Sequence, residues 1–262
     1  HRELIQKVLV PLNSQIDQFK QRMPLLTKLR HPGIKTKHWE MISNVVGFQV
    51  QPSMELTMQN FLDLNLEKWN EQIVEITSAA VQEYSLESSL DQMDSDLQTL
   101  RFVTIQFRDT PHYILHEIDD IISTIDDQLV TTQTLLTSPF IGPIKKRAMD
   151  RLAYLRLGHD ILDSWVNCQR SWLYLQPIFS GTSIQQKLHK EARDWNTVDK
   201  LWSSIMTLTH NSSSYNDVMH RDQLLSELNQ CNELLDSITH GLNAYLEAKR
   251  LGFPRFFFLS ND

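Results

Sequence analysis

The stretch from Ser138 to Ser180 limits the fold more than any other part of this chain. It opens on a stop, Ser138-Pro139, and closes on another, Pro177 followed by Ser180-Gly181. Between Ile141 and Gln176 the interior glycine is Gly158, and Pro143 falls in the first turn, where a missing N–H costs nothing. An unbroken helix there would be roughly 54 Å long. Two apolar stripes run along it. One is Tyr154, Leu157, Ile161, Trp165, Cys168, Trp172 and Leu175, and the other is Ala148, Leu152, Leu155, Leu162, Val166 and Leu173. A surface helix carries one such stripe, so two predict burial over more than half the circumference. Lys145, Lys146, Arg147, Arg151 and Arg156 make the first turns basic. The expected element is therefore wet at one end and packed between other helices at the other, with Trp165, Trp172 and Tyr174 filling a core rather than holding a ligand.

The rest of the chain is consistent with long regular elements. Only 7 Gly and 9 Pro in 262 residues disfavour a turn-rich fold, and 41% hydrophobic residues suffice for a large core or two smaller ones. A net charge of -7 counts against nucleic-acid binding. No apolar run reaches the ~18 residues of a membrane span, and no signal peptide is present. The chain begins with His1, and Phe256 to Asp262 enters a new pattern and stops, so a piece of something longer is expected. Cys168 and Cys231 sit on apolar stripes and read as buried free thiols of a reducing compartment. Asn211-Ser212-Ser213 matches a glycosylation sequon but reads as a polar loop.

Along the chain, Leu4, Val8, Leu12, Ile16 and Phe19 have helical spacing, with a kink or a split expected at Pro11 and a new short helix from Pro24 to Leu29. His31-Pro32-Gly33 is a turn, and Lys37 to Val46 is helical. Gln51-Pro52-Ser53 is a loop, and Ser53 with Leu56 starts a short element. Leu66 to Tyr84 (through Trp69) and Leu86 to Leu100 carry two stripes, read as an antiparallel helix pair with a break near Ser85. Phe102–Phe107 and His112–His116 flank turn chemistry at Arg108–Pro111 and predict a small β-hairpin, 102–107 and 112–116. A lone hairpin is marginal and must lie against helices. Helix returns from Ile118 to Leu136, then over Ile184–Leu208 with Trp195 and Trp202, and over Arg221–Arg250 after a polar break from Thr209 to Asn216. Gly252 and Pro254 are expected to stop the last helix. The fold class is mainly α: an elongated array of antiparallel helical bundles with one hairpin. It divides into 1–137, a helical subdomain with the hairpin, and 138–262, a second subdomain with two long helices.

Chemistry is hard to find. None of the 7 glycines falls in a phosphate-loop or dinucleotide frame. His112 and His116 lack partners at zinc spacing. Asp119, Asp120, Asp126 and Asp127 come as adjacent pairs that point to different faces of a helix, which is the pattern of a solvated surface. No nucleophile elbow is present, so the segment reads as non-catalytic, with no metal and no cofactor of its own.

Several strings then match one family. They are Leu29-Arg-His-Pro-Gly-Ile-Lys-Thr-Lys-His38-Trp39, Asp126-Asp-Gln-Leu-Val-Thr-Thr-Gln-Thr134 running into Ser138-Pro-Phe-Ile141, Trp172-Leu-Tyr-Leu-Gln-Pro-Ile-Phe179, and Gly241 to Arg250 continuing through Phe253-Pro-Arg-Phe-Phe-Phe-Leu-Ser-Asn-Asp262. From about Leu25 to the C-terminus the sequence resembles the linker of dynein heavy chains. Cys168-Gln-Arg-Ser171 before Trp172 is similar to axonemal inner-arm chains more than cytoplasmic ones. Gln176, Gly142 and Lys187–Arg193 depart from the family's usual residues.

That resemblance implies a lever across a ring of six AAA+ modules in the same heavy chain. ATP and Mg2+ would act in the ring, intermediate and light chains would attach through the upstream tail, and microtubules would be bound by other parts of the parent. Neither nucleic acid nor membrane is an expected partner, and a cytoplasmic, cytoskeletal location in the axoneme of a cilium is expected. Two joints, Phe179–Ile184 (with Ser180 and Gly181) and Leu251–Pro254 (with Gly252 and Pro254), are expected to deform most, because each couples Gly or Pro to the end of a long helix. Lys145, Lys146 and Arg147 form a candidate ring-contact cluster, and Trp69, Trp165, Trp172, Trp195 and Trp202 a candidate structural core. The alternative is a static, spectrin-like scaffold, to which the hairpin would be foreign and for which no repeat is visible.

Overall fold

The computed structural model describes residues 2–50, 64 and 66–252. Pro254, the Phe253–Asp262 string, and the loop and short element expected at Gln51–Ser53 and Leu56 lie outside the described residues. The architecture is mainly α with one antiparallel hairpin. In chain order come α1 (Arg2–Leu29), α2 (Thr36–Val46), a 3-10 turn (Leu66–Trp69) and α3 (Asn70–Thr99). The hairpin β1 (Val103–Gln106) and β2 (Tyr113–His116) follows, then α4 (Asp119–Leu136) and a second 3-10 turn (Gly142–Ile144). The chain continues with α5 (Lys145–Phe179), α6 (Thr182–Gln185), α7 (His189–Asn211), α8 (Tyr215–Met219) and α9 (Leu224–Gly252).

The backbone packs as two compact units, His1–Asp91 with Leu135–Lys146, and Gln92–Thr134 with Arg147–Asp262. In the first, Leu25 and Leu29 of α1, Trp39, Ile42 and Val46 of α2, and Ile73 and Ile76 of α3 enclose one core. In the second, α5, α7 and α9 form an up-down-up bundle. Trp172 of α5 meets Trp195 and Trp202 of α7, while Tyr154, 18 residues earlier along α5, meets Tyr215, just beyond the C-terminal end of α7, so those helices are antiparallel. The hairpin lies against α7, its strands paired in the antiparallel register Val103↔His116 to Gln106↔Tyr113. Phe107 N–H donates to the His112 carbonyl (2.8 Å), extending the pairing towards the turn.

Four breaks expected from the sequence are absent. α1 runs unbroken through Pro11 and Pro24, since each proline removes one N–H while the turns on either side keep their ladder. α3 runs unbroken through Ser85 as one helix of 30 residues, not a pair. Its two stripes are two faces: from Ala80 to Leu90 is ten residues, which at about 100° each leaves the second face rotated by roughly 80°. α5 does not stop at Pro177. The proline lies in its last turn, and the helix continues to Phe179, whose buried ring stacks on Trp195 (5.6 Å). The polar break from Thr209 to Asn216 is mostly structured. α7 reaches Asn211, and α8 begins at Tyr215, which is fully buried with Val218 and Met219 close behind. Phe102 N–H donates to the Ser213 carbonyl (2.7 Å) and Tyr215 N–H to the Leu100 carbonyl (3.1 Å), so this segment is tied to the approach to β1.

Candidate functional site

The second unit is built around a stack of indoles. Trp172 lies nearly parallel to Trp202 (5.5 Å between centroids, 20°) and Trp195 (6.2 Å, 22°), and takes Phe107 and His112 edge-on. Trp165, Trp172 and Trp202 are wholly buried and Trp195 nearly so. Such pairs add to area burial through offset ring electrostatics. The Trp172 indole N–H donates to Asp199 Oδ1 (3.2 Å), and Asp199 Oδ2 lies 3.7 Å from His112 Nε2. The hairpin is held at a second place by Tyr113 stacked on His210 (4.0 Å, 11°), whose Nδ1 lies 2.9 Å from Thr104 Oγ1. Gln169 of α5 acts as a surrogate strand. Its amide accepts from Leu115 N–H (2.7 Å) and donates to the Leu115 carbonyl (3.0 Å), meeting backbone groups that β1 leaves free.

Below the stack the α5–α9 seam is polar. Ser164 Oγ donates to Asn229 Oδ1 (2.8 Å), and Asn232 Nδ2 donates to the Ser164 carbonyl and Oγ (2.9 Å each). Cys168 and Cys231 are both free and buried. The hydrogen bond between them, with burial second, pushes the Cys168 thiol up. At the far end Trp165, Phe102 and Tyr215 stack in turn (5.4 and 6.0 Å), with Tyr154 edge-on to Tyr215. Burial pushes Tyr154 up to about 12, although nearby Arg151 pulls it down, and burial also pushes Tyr215 up. Gly158 lets the Tyr215 ring approach α5 here, because a Cβ on it would lie on the Tyr215 hydroxyl.

The first unit holds its turn from Leu29 to Trp39 against α3. Gly33 touches it so closely that a Cβ would stand 2.6 Å from Tyr84 Cβ and 2.8 Å from the Ala80 carbonyl. His31 meets Tyr84 edge-on (5.3 Å), and Lys35 and Lys37 pair with Glu87 and Glu83. His38 is buried. Its Nδ1 accepts from Lys35 N–H (3.0 Å) and its Nε2 lies 3.2 Å from Glu83, which fixes the tautomer with the proton on Nε2. Trp69 is half-buried in the first unit, edge-on to Phe48 (6.2 Å).

The other singled-out residues are placed as follows. Lys145 and Lys146 are exposed and fall in the first unit. Arg147 falls in the second, where it and Arg151 pair with Asp94. Ser180 N–H donates to the Gln176 carbonyl (2.9 Å) and Ser180 Oγ to the Pro177 carbonyl (3.0 Å). Gly181 has φ −85° and precedes α6, and a Cβ there would meet only the Ile178 carbonyl at 3.7 Å. Gly252 is the exposed last residue of α9, with nothing within 4 Å of its Cβ position. Asp119, Asp120, Asp126 and Asp127 are exposed on α4, and among the described residues no group of three or more His, Cys, Asp or Glu is placed to hold a metal ion. No helix among the described residues is long and apolar enough to cross a membrane. The apolar-pattern reading missed Gln128, buried on the same face of α4 as Ile121, Ile125 and Thr132 at steps of three and four. Only its spacing betrays it. It missed His38 and the Ser164–Asn229–Asn232 cluster for the same reason.

Long helices bundled about an indole stack, with one hairpin clipped to the side, define a helical-bundle class of protein. The chain belongs to the dynein heavy chain family: the region described as dynein heavy chain, N-terminal region 2, matches residues 2–262. The chain is 37% identical over 257 residues to dynein axonemal heavy chain 1 of Rattus norvegicus, covering 98% of this chain and 6% of that protein. It is 41% identical over 248 residues to dynein axonemal heavy chain 3 of Homo sapiens (95% and 6%) and 40% identical over 232 residues to dynein axonemal heavy chain 12 of Homo sapiens (87% and 7%). It therefore spans a small fraction of the length of these relatives.

Proposed function

We propose that this region is the linker of an axonemal dynein heavy chain of inner-arm type: a lever that carries ATP-driven change in an AAA+ ring of the same polypeptide to the tail. The observation that supports it most is the side-by-side clamping of α5 and α7 by stacked indoles. Interiors packed at crystal-like density resist continuous deformation, so bending is displaced to joints between packed units. Ser180–Gly181 and Gly252–Pro254 are the proposed joints, and the sequence halves 1–137 and 138–262 the proposed subdomains of one linker. On this reading ATP and Mg2+ act in the ring, intermediate and light chains attach through the tail, and microtubules are bound elsewhere in the heavy chain. The place of action is the ciliary axoneme. Lys145 and Lys146 are the better candidates for ring contact, because Arg147 already pairs with Asp94.

The test is Trp172→Ala in the heavy chain, measured by microtubule gliding and ATPase, with Trp172→Phe as the conservative control. Trp172→Ala should slow gliding while ATPase persists, and Trp172→Phe should keep most of the velocity. Unchanged gliding with Trp172→Ala would make the region a passive scaffold and end the lever reading.

A further inference from the structure

The 2 cysteines of the chain meet in one place. Cys168 of α5 and Cys231 of α9 are wholly buried and hydrogen-bonded to each other. The polar rung beside them fixes the same register independently. Asn232, the residue after Cys231, donates to the carbonyl and Oγ of Ser164, one turn before Cys168 (2.9 Å each). Trp165 and Trp172, on the turns either side of Cys168, and Leu228 and Leu235, on those either side of Cys231, are wholly buried as well. Packing at that density leaves each sulfur no room to turn away from the other. Among the described residues no third His, Cys, Asp or Glu is placed to complete a metal site with them, and a structural zinc takes four ligands. What two facing thiols can do without a metal is give up two electrons together.

We propose that Cys168 and Cys231 form a redox-modification site, at which a peroxide joins them in a disulfide that staples α5 to α9. The rung supplies the way in. Asn229 is exposed and Asn232 half-buried, so hydrogen-bonding groups lead from solvent to within a turn of the sulfurs. Hydrogen peroxide, small and hydrogen-bonding like water, can follow them, whereas a bulky thiol reagent cannot. Cys231 reacts first, because the bond donated by Cys168 holds its thiol below the ordinary range against the opposing effect of burial. Its sulfur attacks one peroxide oxygen, the O–O bond breaks, and a sulfenic acid and one water result. The Cys168 sulfur then attacks the sulfenic sulfur. The S–S bond forms, the S–O bond breaks, and the Cys168 proton leaves with the hydroxyl as a second water. In total two thiols lose two electrons and two protons to one peroxide. The staple closes the long loop 168–231, so it restricts every state in which α5 and α9 have separated. The inference stands apart from the lever reading, because a passive scaffold would carry the same pair.

The experiment treats the full heavy chain with hydrogen peroxide in the absence of denaturant. Remaining thiols are then blocked with an alkylating reagent as the chain is denatured, and its peptides are mapped without reduction. The expected product is a peptide pair linked from Cys168 to Cys231, at background in the untreated chain and lost on adding dithiothreitol. Amide exchange over 164–172 and 228–235 should slow by about tenfold or more in the oxidised chain. In Cys168→Ala the resolving sulfur is gone, so peroxide should leave a sulfenic acid at Cys231 that a dimedone probe captures, with exchange unchanged. The wild-type map decides alone if that variant does not fold. Two free thiols after peroxide, a sulfinic acid at either sulfur without the linked pair, linkage to any other cysteine, or a linked pair with unaltered exchange would each overturn the proposal.

Discussion

Gly158→Ala should weaken the second unit because of one atom, the Tyr215 hydroxyl. An alanine Cβ at 158 would lie on that oxygen, while the next atom of the ring, Cζ, stands at 3.4 Å, an ordinary contact. The ring has little room to retreat. It is wholly buried, stacked on Phe102, which in turn packs on Trp165. Overpacking of a tight core costs about 1–3 kcal/mol. Alanine in place of a mid-helix glycine returns roughly 0.5–1 kcal/mol. The net expectation for Gly158→Ala is a loss of about 0.5–2 kcal/mol. Tyr215→Phe removes a buried hydroxyl that has no hydrogen-bond partner among the described residues, and by itself should change stability by less than about 1 kcal/mol. In the Tyr215→Phe background the clash is gone, and Gly158→Ala should become stabilising by roughly 0.5–1 kcal/mol. The sign therefore inverts. The assay is urea unfolding of the four chains, followed by tryptophan fluorescence and compared at equal m-value. A loss from Gly158→Ala of the same size in both backgrounds would refute the reasoning, because the hydroxyl would then not be what stops the Cβ.

Gly33→Ala should destabilise the first unit more stubbornly, by about 1–3 kcal/mol, since its Cβ meets the Ala80 carbonyl and Tyr84 Cβ rather than a movable tip. Trimming Tyr84 to Phe should give no rescue in thermal melts. In the alkaline range, stability should fall as pH rises from about 10 towards the folded-state value of about 12 at Tyr154, because the unfolded chain ionises first and binds fewer protons there. Tyr154→Phe should flatten that part of an unfolding-against-pH curve, and an unaltered slope would count against it. Cys168, with its thiol pushed up by the bond to Cys231 and by burial, should react with a thiol reagent at pH 8 only as the chain unfolds. Hydrogen exchange should be faster over 180–188 than over Trp165–Leu175; equal protection would remove Ser180–Gly181 as a joint.

Much of the fold was legible because it rests on period. The hairpin announced itself at Phe102–Phe107 by β-branched and aromatic alternation, and its strands fall inside the expected limits. α5 announced itself through two stripes, although Leu157, on one of them, is exposed. Illegible features were those in which tertiary packing overrules a local signal. A proline marks a missing donor, and the sequence around Pro177 does not say that Phe179 will be buried on Trp195 two residues later. Ser85 is a mild helix former, so a change of stripe there signals a change of neighbour rather than a break. Buried polar residues are the hardest to foresee, because Ser164 and Gln128 look like solvated positions until their partners are known. The joints and the basic cluster belong to another category, since their roles depend on what the rest of the heavy chain presents to them.

The polar seam adds something that the indole stack cannot. Stacked rings and aliphatic groups resist separation, but apolar helices can slip past one another by a turn, about 5.4 Å, and still bury similar area. Between α5 and α9 such a slip would carry Asn229 and Asn232 away from Ser164 and leave its buried hydroxyl without these partners. Each unmet group costs about 1–3 kcal/mol, more than one lost apolar contact. At the opposite end Gly158 and Tyr215 impose a steric stop: only a residue without a Cβ can face that hydroxyl, so a shift of α5 that brought Ile161 or Leu162 there would be blocked. The bundle is thus fixed laterally by aromatic area and axially by a hydrogen-bonded serine and a glycine notch. A displacement applied at one end of α5 must then either move the whole bundle or be taken up where such devices are missing, at the chain segments beyond Phe179.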